Sequence, residues 1–285
     1  MRGILVTGVK GQLGFDVCRE LDALGIENRG VDVTDFDLTN ERQTRQTVEA
    51  MQPSAVIHCA AYTAVDKAES NRELCKAVNV DGTAHIAKAC ADVGAKLVYI
   101  STDYVFDGTG ETEWETDSTK KPINYYGLTK SMGEDEVQRL LERWFIVRTS
   151  WVFGANGGNF VKTMLRLGGE RDQVRVVNDQ ISSPTYTADL ARLLCRMVQT
   201  DRFGVYHATN EGFCSWFEFA QAIMRLDGLR CRVEGIPSIE YPTAAARPMN
   251  SRLSKKSLTQ AGFELLPTWQ EALESYVTLE TNNIH

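Results

Sequence analysis

Short apolar runs at residues 4–7, 27–31, 56–59, 97–101 and 145–148 punctuate the first half of the chain. They are separated by stretches of helical periodicity at about 14–24, 41–51, 71–92 and 125–143. Strands that alternate with amphipathic helices cannot close as hairpins. Each connection must cross a sheet face, and such crossovers are right-handed. The pattern therefore predicts an α/β fold with a doubly wound parallel sheet and helices on both faces. After Trp151 the rhythm loosens into a turn at 156–159, a short helix at 160–167, a strand at 174–177 and a helix at 187–198 opened by Thr187-Ala-Asp189. The remainder, with Pro237, Pro242, Pro248 and Pro267, reads as short helices and loops.

Composition excludes several classes of function. The 285 residues are 43% hydrophobic and 24% charged, as in an ordinary globular protein. A net charge of -7 with no basic stripe argues against nucleic acid as a partner. No run of about 18 apolar residues exists, so no membrane span is expected, and no leader-like segment opens the chain. The seven cysteines at 18, 59, 75, 90, 195, 214 and 231 are odd in number, lack a CxxC and mostly read as reduced core residues, which points to the cytoplasm. The four histidines at 58, 85, 207 and 285 have no ligand spacing, so no bound metal is expected.

Gly8, Gly11 and Gly14 follow the first strand and open the first helix, with Gln12 and Leu13 between the last two. The tight turn needs residues without Cβ, and the helix start offers unpaired N–H groups to a pyrophosphate. This marks a Rossmann-like dinucleotide-binding domain at 1–150, with its GxxGxxG spacing resembling that of short-chain dehydrogenases/reductases. Residues 151–285 would then be mainly a smaller substrate-binding lobe, with about 185–210 packing back on the first domain. Asp32, near the end of the second strand, can bind adenosine ribose hydroxyls and favours NADH. Arg29 could instead accept a 2′-phosphate, so NADPH stands beside it. Asp37 and Leu38 are an adenine-contacting pair or a helix cap. Ala60 and Ala61, after the third strand, are small enough to let a cofactor lie against the backbone.

Thr102 ends the fourth strand, at the edge where that cofactor would lie. Tyr126 and Lys130 are four residues apart and share a helix face. Together they suit ketone reduction: Tyr126 gives a proton to the developing alkoxide, Thr102 polarises the carbonyl, and Lys130 holds the nicotinamide ribose and depresses the tyrosine pKa.

Four stretches sharpen this: Ser-Thr-Asp-Tyr-Val-Phe-Asp-Gly at 101–108, Thr63-Ala-Val-Asp-Lys-Ala-Glu69, Tyr126-Gly-Leu-Thr-Lys130 and Arg148-Thr-Ser-Trp151-Val-Phe-Gly154. With Asp179-Gln-Ile-Ser-Ser-Pro-Thr185 and Arg247-Pro248, they make the chain resemble the dTDP-4-dehydrorhamnose reductase family over nearly its whole length. The resemblance implies NAD(P)H-dependent reduction of the 4-keto group of a dTDP-4-keto-6-deoxyhexose, giving dTDP-L-rhamnose. It also implies that Thr63, Val65, Asp66 and Trp151 line the sugar pocket and that Arg247 meets the nucleotide diphosphate, with Asn159 and Lys162 as further nucleotide contacts. Read alone, Trp151 fits a core position at the lobe junction, Asp66 a helix cap and Arg247 a surface arginine. Some members of the family are magnesium-dependent dimers held by acidic residues. Here only Asp16 stands near the first helix start, so the chain reads as a monomer or homodimer without metal. Two rivals share the fold. A sugar-nucleotide epimerase is one, and a non-catalytic subunit like that of methionine adenosyltransferase is the other. Dehydratases carry Thr-Asp-Glu where this chain has Tyr104 in the last position.

Overall fold

The computed structural model describes residues 3–282, so His285 lies outside the described residues. Strands β1 (Ile4–Thr7), β2 (Asn28–Val31), β3 (Ala55–His58), β4 (Lys96–Thr102) and β5 (Trp144–Thr149) form one parallel sheet. A sixth strand, Gly204–His207, joins it beside β5 and is parallel too. From one edge to the other the order is β2-β1-β3-β4-β5, then Gly204–His207. The chain thus runs outward from β1 to β2, returns to lay β3 on the other side of β1, and continues that way. The reversal leaves a crevice beyond the C-terminal ends of β1 and β3, where open α/β sheets take their ligands.

Period-two alternation along buried strands builds the two outer layers. Ile4, Val6, Ile57, Val98 and Phe145 pack against helices Gln12–Ala23 and Thr187–Met197. Leu5, Val56, Leu97, Tyr99 and Ile146 face the opposite way, against helices Glu41–Met51, Thr83–Val93 and Tyr125–Leu140. Both sheet faces are covered, which is why these strands read as continuous apolar runs. Each fully buried aliphatic side chain contributes about 1.5–3 kcal/mol of transfer free energy.

After β5 the chain builds a second buried cluster, around Phe153, Val161, Phe219, Trp269, Leu273 and Tyr276. Helices Phe160–Glu170, Trp216–Leu226 and Trp269–Asn282 surround a parallel strand pair, Gln173–Val177 with Arg232–Ile236. Between these elements the chain goes back to the sheet, where helix Thr187–Met197 packs on Gln12–Ala23 and Gly204–His207 pairs with β5.

Three stretches differ from the sequence reading. The helix expected at 71–92 runs from Arg72 to Val93 but widens into a π-helical turn at Ala77–Gly82. There the buried Asn79 accepts from Tyr62 N at 2.8 Å and donates to Thr129 Oγ1 at 3.1 Å, tying the turn to helix Tyr125–Leu140. Such bulges commonly mark functional sites. That helix ends at Leu140 rather than near 143, because Leu141 is already extended on the way into β5. The region past 198, read as short helices and loops, also holds an edge strand at Gly204–His207, and its helices Trp216–Leu226 and Trp269–Asn282 run to 11 and 14 residues. Helix Trp216–Leu226 starts with a capping box in which Ser215 and Glu218 each satisfy the other's backbone N–H.

Candidate active site

A cavity of about 750 Å³ fills the crevice, lined by the glycine turn, the ends of β2, β3 and β4, and residues from both buried clusters. The turn is built for backbone contact. Gly8 has φ +72°, and a Cβ there would stand 2.7 Å from Ala60 N. A Cβ on Gly14 would meet Gly8 O at 2.4 Å, so neither position admits a side chain. Gly11 begins helix Gln12–Ala23 with no side-chain cap, leaving its first N–H groups available to an anion. Gln12, Leu13, Ala60 and Ala61 line the same wall.

At the end of β2, the Asp32 carboxylate accepts from Lys10 N at 2.9 Å and Val33 N at 2.8 Å. Lys10 reaches across with its ammonium to Thr34 Oγ1 at 3.0 Å. Arg29, weighed from sequence for a 2′-phosphate, instead borders a separate surface hollow with Asp35, Phe36 and Gln43. Lys10 and Lys130 are the cations among the described lining residues. Asp37 and Leu38 also line the cavity. Asp37 accepts from Thr39 N at 2.9 Å and Thr39 Oγ1 at 2.7 Å, closing its own turn, while Asn40 caps the helix that follows.

Thr102, Tyr126 and Lys130 come together at the other end. Asn124 caps helix Tyr125–Leu140 by accepting from Gly127 N at 2.8 Å and anchors it by donating to Ala246 O at 2.8 Å. Thr102 Oγ1 donates to Asp103 Oδ1 at 2.9 Å and accepts from Tyr104 N at 3.2 Å. Burial pushes the Tyr126 phenol up, the nearby Asp103 charge adds to this, and the hydrogen bond with Thr102 only partly opposes it. The lowering expected from Lys130 is therefore absent, because loss of hydration outweighs any help from the ammonium. The same burial lowers Lys130 to about 7, against the pull of Glu134. Its ammonium lies 4.0 Å from the centroid of the Tyr99 ring. Asp103 is raised to about 6, chiefly by burial, with hydrogen bonds from Ser251 and Thr102 only partly opposing it.

Trp151 faces this end from the second cluster and stacks on Trp216, ring centroids 3.6 Å apart. Its φ of +46° is uncommon for a bulky residue, a local strain that keeps the indole in the cavity wall. Thr63 and Val65 also line the cavity. Asp66 and Arg247 do not. They pair with each other at 2.7 Å, and Asp66 also accepts from Ala245 N at 3.0 Å. The carboxylate thus caps no helix; it fastens the 245–247 segment beside helix Val65–Ser70. Asn159 caps helix Phe160–Glu170 and donates to Gln12 Oε1 at 3.1 Å, joining that helix to the glycine turn, while Lys162 donates to Ala155 O.

Comparison with known proteins shows the family. The family described as the RmlD substrate binding domain matches residues 1–281. The dTDP-4-dehydrorhamnose reductase of Escherichia coli is 39% identical over 282 residues, 94% of either chain. The chain belongs to the dTDP-4-dehydrorhamnose reductase family. A solved member from Bacillus anthracis, in complex with NADP, matches with a TM-score of 0.95 at 43% identity, covering 97% of this chain and 99% of that one. The spore coat polysaccharide biosynthesis protein SpsK of Bacillus subtilis is 38% identical over 97% of both chains.

Asp16, the acidic residue near the first helix start, is engaged within the fold. It is buried, accepts from Thr187 Oγ1 and lies 3.6 Å from Arg19. Among the described residues no group of three or more His, Cys, Asp or Glu side chains could hold a metal ion. Sequence reasoning missed Lys10, Val33, Thr39, Asp103 and Trp216 in the wall, and Glu134 behind it. Trp216 had a readable signal, the Ser215-x-x-Glu218 box that starts its helix. Glu134 had one too, falling four residues after Lys130 on the same face.

Proposed function

We propose that this chain catalyses NAD(P)H-dependent reduction of the 4-keto group of a dTDP-4-keto-6-deoxyhexose, taking dTDP-4-dehydro-L-rhamnose to dTDP-L-rhamnose. The observation that carries the reading is the convergence of Thr102, Tyr126 and Lys130 on the crevice that the glycine turn opens. The E. coli relative's activity and the NADP held by the B. anthracis relative support it.

The residues present suit a nicotinamide dinucleotide. The uncapped helix start at Gly11, the close approach of Gly8 to Ala60, and the groups at Asp32 and Lys10 would hold its pyrophosphate and adenosine ends. Bound there, the reduced cofactor supplies a hydride. Tyr126, kept a phenol by burial, gives its proton to the carbonyl oxygen as that oxygen gains negative charge. Thr102 must turn its hydroxyl hydrogen from Asp103 to the substrate oxygen in order to polarise it. Lys130, as an ammonium, holds the ribose and stabilises the tyrosinate left behind. Thr63, Val65 and Trp151 offer the sugar a mixed apolar and hydroxyl-bearing wall. Asp66 and Arg247, fixed to each other, form the rim on that side. Tyr104 stands where elimination chemistry needs a carboxylate, which favours reduction over dehydration.

On this reading residues 1–150 are the dinucleotide-binding part and the later cluster is the substrate side, with 185–210 serving the first part. We place the enzyme in the cytoplasm as a monomer or homodimer without a nucleic-acid partner; the seven free cysteines fit a reducing compartment. No helix among the described residues is long and apolar enough to cross a membrane. Adding a dTDP-4-keto-6-deoxysugar to protein and reduced cofactor should consume absorbance at 1:1 stoichiometry. Protein that binds cofactor but turns over no keto sugar would refute the reading.

A further inference from the structure

Glu134 takes no part in the steps above, yet it is the most heavily bonded acid near them. Tyr126, Lys130 and Glu134 follow at four-residue spacing on helix Tyr125–Leu140, so they share one face. The Glu134 side chain is 1% exposed. It accepts from Arg148 Nε and Nη2, both at 2.8 Å, and from Ser101 Oγ at 2.6 Å, with the Lys120 ammonium 3.3 Å away. Ser101 immediately precedes Thr102 on β4. Arg148 lies on β5 just before Thr149 and Ser150, which line the cavity. One buried carboxylate therefore clamps the helix bearing Tyr126 and Lys130 to the ends of two strands.

The groups around Lys130 leave Glu134 a second task. His58 and Cys59 approach from the end of β3, Cys75 from helix Arg72–Lys76, Tyr99 from β4 and Tyr126 from its own helix. Burial pushes both thiols and both phenols up and holds His58 down at about 3, so all five are neutral near pH 7. Burial also presses Lys130 itself towards the neutral amine. For Glu134, burial alone would favour the neutral acid, but Arg148, Lys120 and Ser101 keep it ionised. It is the anion whose field favours the ammonium.

We propose that Glu134 is a positioning residue for the reduction, supplying the buried negative charge that keeps Lys130 protonated while locking its helix to the strand ends beside Thr102 and Ser150. The inference rests on the reductase reading, but its test does not need turnover. The dissociation constant of reduced cofactor, followed by fluorescence without substrate, should rise at alkaline pH as Lys130 loses its proton. Glu134→Gln should move that limb to lower pH by about one unit, with binding near normal below it, and the kcat profile should move with it. Ser101→Ala, which keeps the charge and loses one hydrogen bond, should leave the limb in place. Because Glu134→Gln strands Arg148, the double variant Glu134→Gln/Arg148→Met removes both buried charges together and should displace the limb in the same direction, by less because a cation leaves with the anion, if the single variant fails to fold. A limb unmoved in whichever of these folds would overturn the proposal, leaving Glu134 a purely structural clamp. Loss of keto-sugar turnover by the wild-type protein would instead refute the reductase reading, and the binding limb would still decide the role of Glu134.

Discussion

Burial holds Tyr126 as a phenol, as the proposed proton donor must be, and leaves Lys130 near the point of losing its own proton. Tyr126→Phe keeps the ring and removes the proton, so kcat should fall at least about a hundredfold with cofactor affinity little changed. Steady-state kinetics with a parallel binding titration checks both halves. Asp32 already spends its oxygens on Lys10 N and Val33 N, and the Lys10 ammonium reaches Thr34 Oγ1 in the loop that follows. Lys10→Ala should therefore weaken NADPH several-fold more than NADH, and equal losses in a titration with both would contradict it. The glycine turn and the Tyr126–Lys130 pair were readable in sequence because their spacing is local and each spacing has one geometric consequence. Glu134 joining Arg148, fourteen residues on, or Trp151 stacking on Trp216, needs the tertiary fold to make the neighbours meet.

The elements of the first half were readable because buried parallel strands carry unbroken apolar runs and glycine or asparagine punctuates the helices between them. Beyond Trp151 the strands are short and half-exposed, as in Arg232–Ile236, so periodicity gives little, and pairing with distant partners settles what forms. Helix Trp216–Leu226 illustrates how such an element is held: Phe219 is fully buried and packs on Phe153, Phe160 and Trp269. Phe219→Ala should cost about 3–5 kcal/mol in urea denaturation, and a loss under 1 kcal/mol would mean that this cluster is not a cohesive core. Trp216 both packs on this cluster and lines the cavity. Without the ring stacked against it, Trp151 loses its support in the cavity wall, so Trp216→Ala should raise KM for the sugar nucleotide about tenfold while kcat changes little. A kcat effect with unchanged KM would point to the chemical step instead.

At the scale of the whole molecule, the sheet encloses titrating groups that couple stability to pH. Burial holds His58 and His207 at about 3, so the fold keeps them neutral while the unfolded chain protonates them below about 6.5. Their contribution is complete above 6.5 and is lost as pH falls through that window towards 3. Between pH 6.5 and 5 each withdraws about 2 kcal/mol. Asp103, raised to about 6, works the other way and returns about 1 kcal/mol between pH 6 and 5. The histidines win. Tm should be lower at pH 5 than at pH 7 by about 5 °C or more, and a Tm that holds or rises would contradict this balance. The strand order itself was only partly readable, because nothing local in Gly204–His207 announces that it will pair with β5. What the order achieves is a single crevice in which the glycine turn, the Thr102, Tyr126 and Lys130 side chains and the Trp151 wall meet. Following reduced-cofactor absorbance with dTDP-4-dehydro-L-rhamnose, for the wild-type protein and Tyr126→Phe side by side, tests that most directly. The account predicts one cofactor oxidised per sugar reduced by the wild type and almost none by the variant. Equal rates, or cofactor bound and never oxidised, would contradict it.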